Sequence, residues 1–226
     1  MSGARSGTPE RPVLVLLRHG ETVGQSSIRL HGATDVALSS VGEQQAARAA
    51  TALAELRLVR VLCSPLQRAR RSAEIVLAAQ PAAPALEVVP DFREVDFGAW
   101  EGLTFAEVEA RDPDNFRRWQ RDRPAFDYPG GEPRASFHAR VRDAALTHLG
   151  APSEHGPILA VLHKGVIKAV LAALTGRPPA EFAELPVTLG SLHRLCWTIG
   201  PGPSGGAWEL ASSNETAHLG ELDLGC

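Results

Sequence analysis

The stretch VLVLLRHGET at positions 13–22 sets the reading of the chain. Val13 to Leu17 is a short, unbroken apolar run, the length of a strand buried on both faces and too short for a buried helix. It stops abruptly at RHGET (18–22), polar and glycine-containing, which therefore reads as the loop at the strand's C-terminal end. The same grammar recurs downstream. Val59 to Cys63 is a second apolar run, and Ser64-Pro65 after it offers an N-cap and a first-turn proline for a helix to about Ala79. Leu86 to Val89 is a third candidate strand, followed by the polar loop DFREVDFGAWEG (91–102). Ile158 to Leu162 is a fourth, followed by His163-Lys164-Gly165 and an apolar helix to Leu174.

Ser40-Val41-Gly42-Glu43 has capping-box spacing and opens an alanine-rich helix to Leu56. Residues 104–123 read as charged helical pieces broken at Pro113, Tyr128 to Gly131 as a turn, and Ala135 to Leu149 as a helix. Leu192 to Thr198 and Trp208 to Ser212 read as strands flanking GPGPSGG (200–206). Strand alternating with helix predicts one α/β domain over residues 13–226 with a mostly parallel central sheet.

Composition bounds the function. Residues 1–12 are polar and proline/glycine-interrupted, without an apolar run, and are expected to be a disordered tail and not a secretion signal. No run approaches the roughly 18 apolar residues of a membrane span. Cys63, Cys196 and Cys226 are too scattered for a disulfide framework or a cysteine zinc site. A soluble cytoplasmic protein is expected. The net charge of −3 excludes a broad basic face for nucleic acid or an acidic membrane. It does not exclude a local cationic pocket, and the basic residues are lopsided: 21 arginines against two lysines, Lys164 and Lys168.

In parallel α/β sheets, ligands bind beyond the carboxyl ends of the strands. Arg18 and His19 follow the first strand, Ser64 and Arg68 the second, Glu94 the third and His163 the fourth. If these strands are neighbours, two arginines, two histidines and a carboxylate face one crevice. Any one of them alone reads more simply as a solvated helix face or a structural histidine; together they suit an anion undergoing acid–base chemistry.

The motifs resemble those of the histidine phosphatase superfamily, the phosphoglycerate mutase-like proteins. RHGET (18–22), SPLQRARRSAEI (64–75), EVDFGAWEG (94–102) and VLHKG (161–165) carry the resemblance in the family's order. PGGE (129–132) and NETAHL (214–219) extend it from Val13 to about Leu219. It implies a three-layer α/β/α sandwich and a phosphatase-type member of the branch bearing the RHG motif. By the same resemblance His19 is the nucleophile that becomes phosphohistidine. Arg18, Arg68 and His163 form the phosphate clamp, and Glu94 donates the proton to the leaving oxygen. Physical chemistry suits these roles. Phosphoryl transfer needs in-line positioning and neutralisation of charge on the equatorial oxygens. Arginine supplies fixed planar donors, a protonated His163 adds another, and a neutral imidazole can attack. No metal or other cofactor is required by this scheme.

Where relatives often have Trp-Asn, this chain has Gly24-Gln25, so Gln25 is a candidate phosphate ligand. His31-Gly32 lies where relatives approach the substrate. The residue after the second histidine is commonly small; here it is Lys164, a cation at a helix N-terminus, where the macrodipole disfavours it by about 0.3–1 kcal/mol. Contact with an acidic substrate group would account for it, as would simple solvation. The resemblance implies a metal-independent phosphomonoesterase acting on a small phosphorylated metabolite, with a homodimer as a possible assembly. A mutase-type phosphoryl transferase and a non-catalytic phospho-ligand-binding module are the alternatives. The form E-x-x-F-G-x-W-E-G resembles the phosphatase-like members more than the mutases. The segment 103–134 is expected to cap the crevice. It mixes Arg111, Arg117, Arg118, Arg121, Arg123 and Arg134 with Phe105, Phe116, Trp119 and Phe126, a set suited to an anionic or aromatic ester or to a salt-bridged helical face.

Overall fold

The computed structural model describes residues 13–123, 125–153, 155–200 and 205–222. The expected tail at 1–12 and most of the GPGPSGG loop lie outside them. In chain order the elements are β1 (Val13–Arg18), α1 (Ser40–Ala52), β2 (Arg60–Cys63), α2 (Gln67–Ala78) and β3 (Leu86–Val88). Then follow α3 (Phe105–Arg111), α4 (Pro113–Arg121), α5 (Arg134–Leu149), β4 (Ile158–Leu162), α6 (Lys164–Thr175), β5 (Leu192–Ile199) and β6 (Gly206–Glu215).

The six strands form one sheet in the order β3-β2-β4-β1-β5-β6. β1, β2, β3 and β4 pair in parallel, whereas β5 and β6 are antiparallel additions at one side. The unbroken apolar runs are explained by what covers the sheet. Alternate side chains of a strand point to opposite faces. Leu14, Leu16, Leu62, Ala160 and Leu162 pack with α5 and α6, and Val15, Leu17, Val61, Leu159 and Val161 pack with α1 and α2. A strand clothed on both faces has no place for a polar alternate, so β1 and β4 read as continuous hydrophobic segments. The result is the expected three-layer α/β/α sandwich with a mostly parallel sheet.

Two helix starts differ from expectation. The cap of α1 is Ser39, one residue earlier than the Ser40 box: its hydroxyl accepts from the Gly42 amide at 3.1 Å. Ser64 does not cap α2, which begins three residues later, after Leu66. The first α2 amide, that of Gln67, donates instead to Asp35 Oδ1 at 2.8 Å, a capping carboxylate from a distant loop. Ser64 is held elsewhere, by a histidine of the site.

The segment 103–134 holds α3 and α4. Its aromatic side chains pack on one another: Phe105 stacks on Trp119 at 4.6 Å and Trp100 on Phe126 at 5.2 Å, with Phe116, Trp119 and Phe126 all buried. Four of its six arginines are engaged by their own segment, Arg134 through the Arg123 carbonyl. Arg117 pairs with Asp114, Arg118 with Asn115, and Arg123 lies over the Trp119 ring. For these four arginines the partners are local, as the salt-bridged helical face, one of the two expectations, requires.

Candidate active site

β1 and β4 are neighbours in register, Arg18 opposite Leu162. Consequently the residues after the two strands emerge side by side. The His19 amide donates to Leu162 O at 3.1 Å and the Ser64 amide to Val161 O at 3.1 Å, so the ends of β1, β2 and β4 are tied together. His19 and His163 meet edge to face with ring centroids 5.0 Å apart. Arg18, His19, Arg68, Glu94 and His163 are all buried. Five polar side chains removed from water at one sheet edge are costly unless each is partnered or held for a ligand.

Each has a definite hydrogen-bonding state. His19 Nδ1 lies 2.7 Å from the Gly20 carbonyl oxygen, which can only accept, so the proton is on Nδ1 and the Nε2 lone pair is left for the crevice. Burial, and then the Arg68 and Arg18 guanidiniums, hold the ring's pKa well below its ordinary value, so the imidazole is neutral. His163 accepts from Arg68 Nε on Nδ1 at 3.3 Å and donates from Nε2 to Ser64 Oγ at 2.7 Å. It too is neutral, held so by burial and by Arg68. The protonated His163 of the sequence reading is therefore corrected: the cation beside it already occupies the nitrogen that would take the proton. The signal missed in the sequence is Ser64, read as a cap and in fact the partner of the second histidine.

Arg18 donates from Nη1 to Val187 O at 2.6 Å, while its buried Nε has no partner among the described residues. Burial lowers its pKa to about 10 against the pull of Glu94 and Glu21, which leaves it cationic at neutral pH. Arg68, the deepest of the set, reaches three backbone carbonyls of the 31–34 turn as well as His163. Nη1 donates to Thr34 O at 2.7 Å, and Nη2 to His31 O at 3.0 Å and Gly32 O at 2.8 Å.

Glu94 accepts from its neighbour Val95 N at 3.0 Å and from the Gly165 amide at 2.9 Å. It thereby caps α6 from outside, an acceptor at the positive end of a helix whose N-cap, His163, makes no side-chain cap of its own. This also accounts for Lys164, exposed at the first position of α6. Glu94 and Glu184 offset the macrodipole there, while burial of its surroundings and Arg18 pull its pKa down. The Glu94 backbone is fixed in turn: Arg140 donates to the carbonyls of Asp91, Arg93 and Glu94 and pairs with Glu132 at 2.6 Å. Arg140 had no motif to mark it; Glu132 is the acid of PGGE.

The other candidates divide. His31 is half-buried with its Nδ1 unpartnered among the described residues. Gly32 is buried and has no room for a side chain, since a Cβ would meet Val95 O at 1.9 Å. Gln25 is exposed in a left-handed turn (φ 58°), and its side chain makes no hydrogen bond to the cluster among the described residues. NETAHL supports from behind. Asn214 Oδ1 accepts from the Thr188 amide at 2.7 Å, fixing the loop whose Val187 carbonyl holds Arg18.

The histidine phosphatase superfamily (branch 1) profile matches residues 14–214. The chain belongs to this superfamily. A bifunctional protein of Mycobacterium tuberculosis is 37% identical over 219 residues, which cover 96% of this chain and 57% of the relative. The chain thus spans a little over half the length of that curated relative. A glucosyl-3-phosphoglycerate phosphatase of the same organism is 32% identical over 82% of this chain and 83% of its own length. The native structure of a mycobacterial glucosyl-3-phosphoglycerate phosphatase superposes with a TM-score of 0.75 at 30% identity, covering 91% of this chain and 99% of that one. Alpha-ribazole phosphatase from Shigella flexneri gives 0.75 at 26% identity, over 90% and 96%. The glucosyl-3-phosphoglycerate and alpha-ribazole relatives are phosphatases, and among the described residues no helix is long and apolar enough to cross a membrane.

Proposed function

We propose that the chain is a cytoplasmic, metal-independent phosphomonoesterase that hydrolyses a small phosphate ester through phospho-His19. The observation that carries the reading is the fixed tautomer of His19: a neutral ring with Nε2 unprotonated, beside two guanidiniums that Glu94 also faces. His19 Nε2 attacks phosphorus while the bond to the ester oxygen breaks, and Glu94 in its acid form passes its proton to that oxygen. Glu94, now a carboxylate, takes a proton from water. The resulting hydroxide displaces the imidazole, giving inorganic phosphate and restoring both groups. Arg18 supplies its unpartnered Nε and Arg68 the rest of its charge to the phosphoryl oxygens. His163 offers its Nε2 hydrogen to the phosphoryl group when the Ser64 hydroxyl that now accepts it is displaced. Lys164, His31, Gly32 and Gln25 form the outer boundary toward the alcohol portion, with residues 103–134 as the cap. The names of the phosphatase relatives support a small phosphorylated metabolite as substrate.

The test is phosphate release from an aryl phosphate and a panel of phosphometabolites, with and without chelator, for the wild type and His19→Ala. The expected result is chelator-insensitive turnover, an acid-labile phosphoenzyme, and loss of both in the variant. Full activity of His19→Ala overturns the mechanism. Isomerisation of phosphoglycerates without release of phosphate replaces it with the mutase, and saturable binding without turnover replaces it with the binding module.

A further inference from the structure

Glu101, the acid that closes EVDFGAWEG, was given no role by the sequence, yet more donors converge on it than on any member of the catalytic cluster. Oε1 accepts from the amides of Gly32, Ala33 and Phe97 at 3.1, 2.9 and 2.9 Å. Oε2 accepts from Gly32 N at 3.1 Å, Thr34 N at 3.3 Å and the Thr34 hydroxyl at 2.5 Å. The amides of one short turn thus point at one carboxylate. The carbonyls of the same turn, those of His31, Gly32 and Thr34, point the other way, at the Arg68 guanidinium. A peptide group is a dipole of roughly 3.5 D whose N–H and C=O ends are fixed relative to each other. An anion on the amide side and a cation on the carbonyl side therefore orient the same peptides, each reinforcing the other.

The turn has little slack. Gly32 is pressed so close to Val95 O and Glu101 that not even a methyl group fits. Glu101 is anchored in turn by the 3-10 segment Gly98–Trp100, to whose Gly98 carbonyl its own amide donates at 3.0 Å, and Trp100 is fully buried in the aromatic cluster. On the far side Arg68 touches His163 through Nε. A continuous path runs from Glu101 through two peptide groups, 31–32 and 32–33, to the guanidinium and on to the second histidine.

We propose that Glu101 is a positioning residue of the phosphate site, acting through the 31–34 turn to hold the Arg68 guanidinium against His163. The turn's carbonyls keep Arg68 planar and aimed into the crevice, and the carboxylate keeps those carbonyls aimed at Arg68. This rests on the phosphatase reading only in that the crevice binds a phosphoryl group.

The test is the affinity for inorganic phosphate, measured by calorimetry and as competitive inhibition, for the wild type, Glu101→Gln, Arg68→Ala and the double variant, with a thermal melt of each. Glu101→Gln turns one acceptor oxygen into a donor facing N–H groups. It is expected to weaken phosphate by roughly tenfold in the wild-type background and by less than about twofold where Arg68 is already alanine. Glu101→Asp is expected to recover part of the loss. Thr34→Val, which removes one exposed hydroxyl and leaves the carboxylate, should weaken phosphate in the same direction by a smaller factor even if Glu101→Gln does not fold. Equal losses with and without Arg68, or unchanged phosphate affinity in a Glu101→Gln protein that melts lower, overturn the positioning role. Failure of the wild type to bind phosphate overturns the phosphatase reading itself, a separate outcome.

Discussion

At the scale of single residues, Glu94 and Gly165 are a matched pair. The carboxylate sits on the Gly165 amide at 2.9 Å, and an added Cβ would approach Oε1 to 2.5 Å, closer than real Cβ contacts allow. Gly165→Ala improves intrinsic helix propensity by up to about 1 kcal/mol, so α6 itself gains. The carboxyl group must nevertheless swing away. Because Glu94 is proposed to protonate the leaving oxygen, the loss should depend on the leaving group. Activity on alkyl phosphates is expected to fall by roughly tenfold or more, and on aryl phosphates, whose oxygens leave with less help, by clearly less. Comparison of kcat/KM for the two ester classes checks this. Equal losses would mean that the substitution disturbs phosphate binding and not proton donation.

At the scale of elements, the strands were legible and two of the helix starts were not, for one physical reason. A strand clothed on both faces must be apolar along its length, so Ile158–Leu162 lies where its sequence puts it. Helix caps need only an acceptor at the right place, and here two come from other parts of the chain. Glu94 serves α6 across 71 positions, and Asp35 serves α2 across 32. The local candidate, Ser64, is drawn off by His163. The candidate site was legible for the same reason as the strands, because its residues follow strand ends that topology brings together. The polar residues that brace it, Glu101, Arg140 and Ser64, find partners only in the folded chain, and periodicity carries no trace of them. The cap assignment makes a clean prediction. Asp35→Ala is expected to cost about 1 kcal/mol, within the usual range for a lost N-cap, and to lower Tm by roughly 2–4 °C in a chain of this size. A thermal melt measures it; an unchanged Tm would mean that solvent caps α2 equally well.

At the scale of the whole molecule, the same burial that prepares the crevice sets its tolerance of acid. His19 and His163 are held neutral by burial and by the arginines beside them. His193, buried in β5, accepts from the Asn214 amide, and burial lowers its pKa from about 6.5 to about 4. Above the ordinary histidine range both folded and unfolded chains carry these rings neutral, and they contribute no pH dependence. As pH falls below about 6.5 the unfolded chain takes up protons that the folded chain refuses, so stability declines with acidification. For His193 the decline runs down to pH about 4, where the folded protein begins to bind the proton as well. Each histidine that titrates only when unfolded adds about 1.4 kcal/mol of lost stability per pH unit. Denaturant unfolding between pH 7 and 4 should show a slope of more than one proton. His193→Gln, which keeps an acceptor and a donor but cannot charge, should make that slope shallower by about one proton while leaving the neutral-pH behaviour of the crevice in place. Parallel curves for the two proteins would show that His193 is protonated in the folded state, and would move the origin of the acid limb to the two histidines of the crevice.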